Sequence, residues 1–184
     1  MSKEKNQNLF SNLPIGKYFM DHPWYDPAEG FINYNKFAKY LNQTKGINRE
    51  FYVDCYNRLL LSPNLNFRKQ KNIDSLTMFV NFNHKSESNQ KYLKKIACMS
   101  PNFLKKFTEK EKLEDIIKIS IGINQEQEPQ INNRITLGNK LDPYGTPLID
   151  LNWSMSDRMK RCAKETLVNL GKFLVERDLG RISI

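Results

Sequence analysis

Alternating apolar and polar positions along the chain predict several β-strands. Residues 75–83, SLTMFVNFN, place aliphatic side chains at every second position, and ISIGINQEQ at 119–127 does the same. Successive side chains of a strand point to opposite faces, so this period of two gives each strand one apolar face. Three further strands are predicted at 51–61, 133–137 and 147–153.

Apolar residues at helical spacing predict two main helices, one at 34–42 and one from about Ser156 to Asp178. Gly180 is placed to end the second helix. The apolar face of that helix is lined by Met159, Cys162, Ala163, Leu167, Leu170 and Leu174.

Capping and helix-breaking residues mark shorter elements. Ser62 and Pro63 predict the N-cap and first turn of a short helix that reaches about Lys69. Residues 88–118 are predicted as helices. The segment LPIGKYFMDHPWYDPAEG contains three prolines and two glycines, so residues 13–30 are predicted as loop.

Together these elements predict an α+β fold, mainly an antiparallel sheet with helices packed on one face. The period of two favours a sheet whose other face contacts solvent or a ligand. We expect residues 1–30 to form a loop-rich segment and residues 31–184 to form the α+β domain.

Composition narrows the class of protein. The chain has 184 residues, is 39% hydrophobic and 27% charged, and has a mean hydropathy of -0.65. It contains no apolar run long enough to span a bilayer and no secretory h-region near Met1, so we expect a cytoplasmic protein that does not contact membranes. Its cysteines are widely spaced, so we expect reduced thiols and no metal site; they are Cys55, Cys98 and Cys162.

The net charge of +9 and the pI near 9.4 raise the possibility of nucleic-acid binding. The lysines, however, are spread along the chain among Asn, Gln and Glu, and no known nucleic-acid-binding motif is present. A solvated lysine-rich surface is the better interpretation. A basic nucleic-acid-binding protein is kept as the least favoured hypothesis.

Residues 126–157 carry a resemblance to a known family. EQEPQINNRITL, then DPYGTP, then the tryptophan and aspartate of NWSMSD resemble the C-terminal segment of the glucose–methanol–choline (GMC) flavin oxidoreductases. Asn133 stands where that family usually has serine. The matching residues are Glu126, Gln127, Pro129, Arg134, Ile135, Leu137, Asp142, Gly145, Pro147, Trp153 and Asp157.

A second match lies near the start of the chain. IGKYFMDHP resembles the family segment that leads from the flavin domain into the substrate domain, and both matches occur in the family's order. Taken singly, several of these residues also suit structural roles; residues 142–145, for example, would form a hairpin turn in any fold. The matching residues here are Gly16, Lys17, Phe19, Asp21, His22 and Pro23.

The resemblance implies part of an FAD-dependent oxidoreductase that acts on the CH–OH group of an alcohol or sugar. This chain would contribute the antiparallel sheet that covers the reacting face of the flavin and binds the small-molecule substrate. Asp21 and His22 would lie near the junction with the flavin domain, where they either contact cofactor or substrate or tie down the loop. His84 is predicted to be exposed and inert.

Two parts of the family's machinery are not found among these residues. The eight glycines are never closer than the seven positions from Gly138 to Gly145, which excludes a G-x-G-x-x-G turn for the pyrophosphate. The family's catalytic histidine would follow the GRI stretch. We therefore assign no catalytic residue and expect a fragment whose flavin-binding domain is supplied in cis or in trans.

A different class of function stays open at this point. The chain could be a catalytically inactive binding or assembly module that uses an inherited sheet to bind a sugar or a partner. A fragment should expose an apolar face where the flavin domain packs, whereas a stand-alone module should not. Nothing in the sequence selects among the polar residues of the strands; these are Asn81, Asn83, Asn124 and Gln125.

Overall fold

The structure is a computed structural model that describes residues 13–43, 58–83 and 116–184. Within these ranges it contains three helices and seven strands. The helices are α1 (Tyr34–Gln43), α2 (Leu65–Lys71) and α3 (Asp157–Glu176). The strands are β1 (Trp24–Asn33), β2 (Arg58–Leu61), β3 (Leu76–Asn83), β4 (Ile116–Gln125), β5 (Arg134–Leu141), β6 (Pro147–Asn152) and β7 (Gly180–Ser183).

Five of the strands form one antiparallel sheet in the order β2-β3-β4-β1-β7, while β5 and β6 form a separate hairpin. The register aligns Val80 with Ile121 and Ile121 with Ala28, so apolar side chains of three strands lie in one row. This arrangement confirms the predicted α+β fold with a mainly antiparallel sheet.

The core lies between the helices and one face of the sheet. Ile119, Ile121 and Ile123 of β4 are at most 2% exposed, and Leu167 of α3 is fully buried. The ring of Tyr40 in α1 lies 5.3 Å from that of Phe173 in α3, so both helices cover the same side of the sheet. Burial of these aliphatic side chains is the main source of stability.

Helix α3 begins as predicted, because the Ser156 hydroxyl accepts a hydrogen bond from the Met159 amide at 3.1 Å. The predicted role of Gly180 is wrong. The helix ends at Glu176, and Gly180 opens β7 instead. A Cβ at Gly180 would collide with the backbone carbonyl of Phe31, so glycine allows β7 to approach β1.

The loop prediction for residues 24–30 is also wrong, because β1 begins at Trp24 and therefore crosses the expected boundary at residue 30. The register shifts between Tyr25 and Ala28, which places Pro27 in a bulge that needs no ladder hydrogen bond from it. Gly30 lies within the strand, where a Cβ would collide with the Arg181 carbonyl of β7.

Smaller corrections concern other element ends. The N-cap of α2 is Asn64 rather than Ser62, since its carboxamide oxygen accepts from the Phe67 amide at 2.9 Å. Residues 116–118 were predicted as helix but belong to β4. Several predictions lie outside the described residues: the helices at 88–115, the strand at 51–57, His84, Cys55 and Cys98. Cys162 is a buried free thiol.

The predicted turn joins β5 and β6. One carboxylate oxygen of Asp142 accepts hydrogen bonds from the amides of Tyr144, at 2.9 Å, and Thr146, at 2.8 Å. Gly145 has φ of 80°, a left-handed conformation that glycine adopts without strain. The short polar turn therefore sets the register of the hairpin.

Replacing Leu167 with alanine should lower the free energy of unfolding by about 2–5 kcal/mol, because it leaves a cavity in the core. The matched control is Val168→Ala, next to it but 37% exposed, which should change stability by less than about 0.5 kcal/mol. Urea unfolding followed by circular dichroism measures both. Equal losses would contradict the packing of α3 against the sheet.

Candidate functional site

The Gln127 side chain joins three segments of the chain. Its carboxamide oxygen accepts hydrogen bonds from the Asp21 amide at 3.0 Å and from the Trp153 indole N–H at 2.8 Å. Its amide nitrogen donates to the Ser154 carbonyl at 3.0 Å. Gln127 is 8% exposed, so these bonds satisfy a side chain that would be costly to bury unpaired.

Asn133 repeats this role at the start of β5. Its side chain donates to the Ser154 carbonyl at 3.0 Å and accepts from the Ser154 amide at 2.9 Å. It is 1% exposed, and its backbone carbonyl accepts from the Phe19 amide at 2.7 Å. The residue that departs from the family pattern is therefore a buried, fully engaged asparagine.

The segment before β1 lies along the edge of β5. The Ile135 amide donates to the Gly16 carbonyl at 2.7 Å, and Lys17 forms an antiparallel bridge with Arg134. Gly16 has φ of 71° and packs so closely on Ile135 that a Cβ would collide with its carbonyl oxygen. The two segments that carry the resemblance are thus direct neighbours.

Asp21 and His22 lie on the surface of this junction. Both are exposed, and the Asp21 carboxylate accepts a hydrogen bond from the His22 amide at 2.7 Å. Since the Asp21 amide is bonded to Gln127, the backbone here is fixed. The side chain of His22 stands at an exposed position, next to buried Pro23.

Next to the junction is a cavity of about 510 Å³ with a polar lining. Arg158 donates two hydrogen bonds to Asp74, at 2.8 and 2.7 Å. These bonds, together with the positive charge, lower the pKa of the Asp74 carboxyl below its ordinary value. Other lining residues include Arg68, Lys69, Glu126, Gln127 and Glu128.

The β5–β6 hairpin has one apolar face, which we call the apolar hairpin face; it comprises Ile135, Leu137, Ile149 and Leu151. Ile135 pairs with Leu151 and Leu137 with Ile149, so their side chains share one side of the ribbon. Leu137 is 72% exposed, Ile149 67% and Leu151 56%. Such a contiguous exposed apolar face is typical of a surface that another protein covers.

The polar strand residues divide between the two faces of the sheet. Asn81 and Asn124 lie opposite the helices, on the side we call the open face, where the side-chain carboxamide of Asn81 donates to the Ser120 hydroxyl at 3.3 Å. Gln125 lies on the helix side, is 3% exposed, and its carboxamide has no hydrogen-bond partner among the described residues. Of these three residues, Asn81 and Asn124 could contact a ligand on the open face.

Comparison of the chain with models of known protein families and with curated proteins returned no match. Within the described residues, no helix is long and apolar enough to cross a membrane, and no three acidic, histidine or cysteine side chains are arranged to hold a metal ion.

Sequence reasoning named Gln127, Trp153 and Asn133 only as positions of a resemblance, and missed the hydrogen bonds that join them. The bonds link residues up to 106 positions apart, and no periodicity encodes that proximity. One feature of the sequence could have indicated this cluster of hydrogen bonds: Gln127, Asn133 and Trp153 each lie at an end of a predicted strand and each carry a side-chain N–H group.

Replacing Gln127 with leucine should lower the free energy of unfolding by about 2 kcal/mol, because the Asp21 amide and the Trp153 indole lose their acceptor. The same change at Gln130, whose side chain makes one hydrogen bond at 3.5 Å, is the matched control and should cost less. Urea unfolding gives the stabilities, and hydrogen exchange should be faster at the Asp21 amide in Gln127→Leu alone. Unchanged exchange there would contradict the junction geometry.

The Asp74–Arg158 pair should stabilise the fold in a pH-dependent way. The pKa of Asp74 is lowered in the folded state, so the contribution is present above the unfolded pKa of about 3.9 and lost as pH falls through the folded value. Asp74→Asn should lower the Tm by about 2 °C at pH 7, and the difference between wild type and variant should shrink as the pH is lowered below about 3.9. A difference that does not change with pH would show that packing, rather than charge, is responsible.

Proposed function

We propose that this chain is the substrate-binding part of an FAD-dependent oxidoreductase that acts on the CH–OH group of an alcohol or sugar. One observation supports it most. The two segments that resemble GMC oxidoreductases are far apart in the sequence, yet they meet at Gln127, Asn133 and Gly16. Two segments that matched the family only by chance would not be expected to lie next to each other in the fold.

The apolar hairpin face supports the proposal independently. A flavin-binding domain, in the same polypeptide or in a separate chain, would cover Leu137, Ile149 and Leu151 and remove them from water. This exposed face also favours a docking fragment over the alternative, a stand-alone binding module, because such a module gains nothing from leaving these side chains in water.

The described residues do not by themselves provide a site for FAD. Asp21 and His22 are exposed, and the chain has no glycine-rich turn to approach a pyrophosphate. In the proposed enzyme, FAD would be held mainly by the partner domain and would accept the hydride. Asp21 and His22, held by the Gln127 bond, would lie at the border with that domain.

The contribution of this chain would be to bind and orient the substrate. The open face offers carboxamide and hydroxyl groups on a rigid sheet, among them Asn81, Ser120 and Asn124. These side chains can donate and accept hydrogen bonds without changing charge. They would position a hydroxyl-bearing carbon and restrict the access of water.

The native polypeptide tests the proposal. An antibody raised against this chain should precipitate, from the source cell, either a single polypeptide well above 21.7 kDa or this chain together with a second one. The precipitate should absorb near 450 nm, and denaturation should release FAD. A colourless polypeptide of 21.7 kDa alone would overturn the oxidoreductase proposal and favour the stand-alone module.

The recombinant chain, without a flavin-binding domain, should self-associate through the apolar hairpin face. Replacing Leu137 and Ile149 with threonine keeps residues suited to strands and removes apolar surface, so association at micromolar concentration should fall at least tenfold. Analytical ultracentrifugation measures it.

The matched control changes the opposite, polar face of the same hairpin. Thr136 pairs with Asp150 on that face, and the double replacement Thr136→Ser, Asp150→Asn should leave association unchanged. If both double variants associate like the wild type, the apolar hairpin face is not the contact.

A further inference from the structure

An exposed aromatic side chain stands on the open face of the sheet. Trp24, at the start of β1, is 53% exposed, and its ring stacks on that of Phe79 with centroids 4.7 Å apart and planes 12° from parallel. The Arg58 guanidinium lies beside both rings, 5.4 Å from the Trp24 centroid and 5.6 Å from that of Phe79. The indole is therefore held in one orientation.

Gly122 of β4 makes room for this arrangement. A Cβ there would lie 3.1 Å from the Trp24 indole nitrogen and 2.8 Å from a carboxylate oxygen of Asp26. The indole edge thus passes over β4 to reach Phe79, and the Asp26 carboxylate borders the same point. Phe79 covers one face of the indole, and Trp24 is still 53% exposed.

Hydrogen-bonding groups lie close to the indole on the open face. Asp26 is exposed, and Asn124, which pairs with Trp24 across the strands, is half-buried. Their carboxylate and carboxamide are planar groups that can accept, and in the case of Asn124 also donate, hydrogen bonds to adjacent hydroxyls. The site combines an apolar ring with polar groups at its border.

From this geometry we infer that Trp24, Asp26 and Asn124 bind the pyranose ring of a sugar. One side of a pyranose presents C–H groups, whose slightly positive hydrogens suit the negative face of an aromatic ring. The hydroxyls project from the ring edge, where Asp26 and Asn124 can bind them. A short aliphatic alcohol would leave the indole uncovered, and a flat aromatic alcohol would leave most of the polar border unused.

This inference deepens the proposed function, and rests on it for treating the open face as a substrate site. It names a sugar, rather than an alcohol in general, as the class of molecule bound. Binding itself requires only the sheet, so the 184-residue chain can be tested without flavin.

The test uses the two indole N–H signals of the ¹⁵N-labelled chain. Methyl β-D-glucopyranoside, methyl β-D-galactopyranoside and methyl α-D-mannopyranoside are titrated in turn, with benzyl alcohol and 1-propanol for comparison. We expect at least one sugar to shift the Trp24 signal and leave that of Trp153, which is bonded to Gln127, in place.

Variants localise the binding. Trp24→Ala should weaken sugar binding at least about tenfold, measured by saturation-transfer NMR, because it removes the stacking surface. Asp26→Asn keeps the shape of the side chain and should weaken binding severalfold while the fold stays intact. The matched control is Tyr144→Ala, which removes an aromatic ring that is 92% exposed at the hairpin turn and should bind like the wild type.

The outcomes separate this inference from the proposed function. If benzyl alcohol binds at Trp24 more tightly than every sugar, the ligand class is wrong while the oxidoreductase proposal stands. If no probe shifts the Trp24 signal, or if sugars bind equally well to Trp24→Ala and Asp26→Asn, the site is overturned. Sugar binding by a chain whose native form is colourless would uphold the site and overturn the oxidoreductase proposal.

Discussion

The buried carboxamide of Gln127 is the constraint on which the arrangement of this protein depends. Leaving this buried side chain unpaired would be costly, and its partners come from the segment before β1, from the end of β6 and from the approach to α3. The observed placement of these segments satisfies all three bonds. Asn133 adds a second fixed point a few residues on, so the hairpin is held at the end of β4 by polar contacts rather than by a core of its own.

The five-stranded sheet gives its two faces different tasks. One face is closed by α1 and α3 over the isoleucines of β4, which supplies most of the stability. The other presents Asn81, Asn124 and the stacked pair of Trp24 and Phe79. Since successive side chains of a strand point to opposite faces, the same strand can pack against the core on one face and present polar groups on the other.

Much of the fold could be predicted from the sequence because aliphatic alternation in β3 and β4 and the capped amphipathic pattern of α3 are strong local signals. Strand β1 could not be predicted, since proline and glycine are typical of loops. The structure explains why they occur in this strand: Pro27 lies in a bulge, and Gly30 allows the close approach of β7. Strand β7 has four residues, too few for a periodic signal. The place of Trp24 beside Phe79 depends on the register of three strands, which local patterns do not specify, and the contact between Asp21 and Gln127 could be anticipated only through a family resemblance.

The edges of the large sheet have a consequence for how copies of this chain can meet. Among the described residues, both edge strands, β2 and β7, have four residues, and β7 covers only Glu29–Ile32 of β1. The part of β1 that no described strand covers contains Pro27, which has no amide hydrogen to offer, and a bulge that bends the strand. Backbone pairing between copies is therefore disfavoured along both edges. Crowded molecules should form compact, reversible clusters held by side chains rather than the endless ribbons that grow from open strand edges.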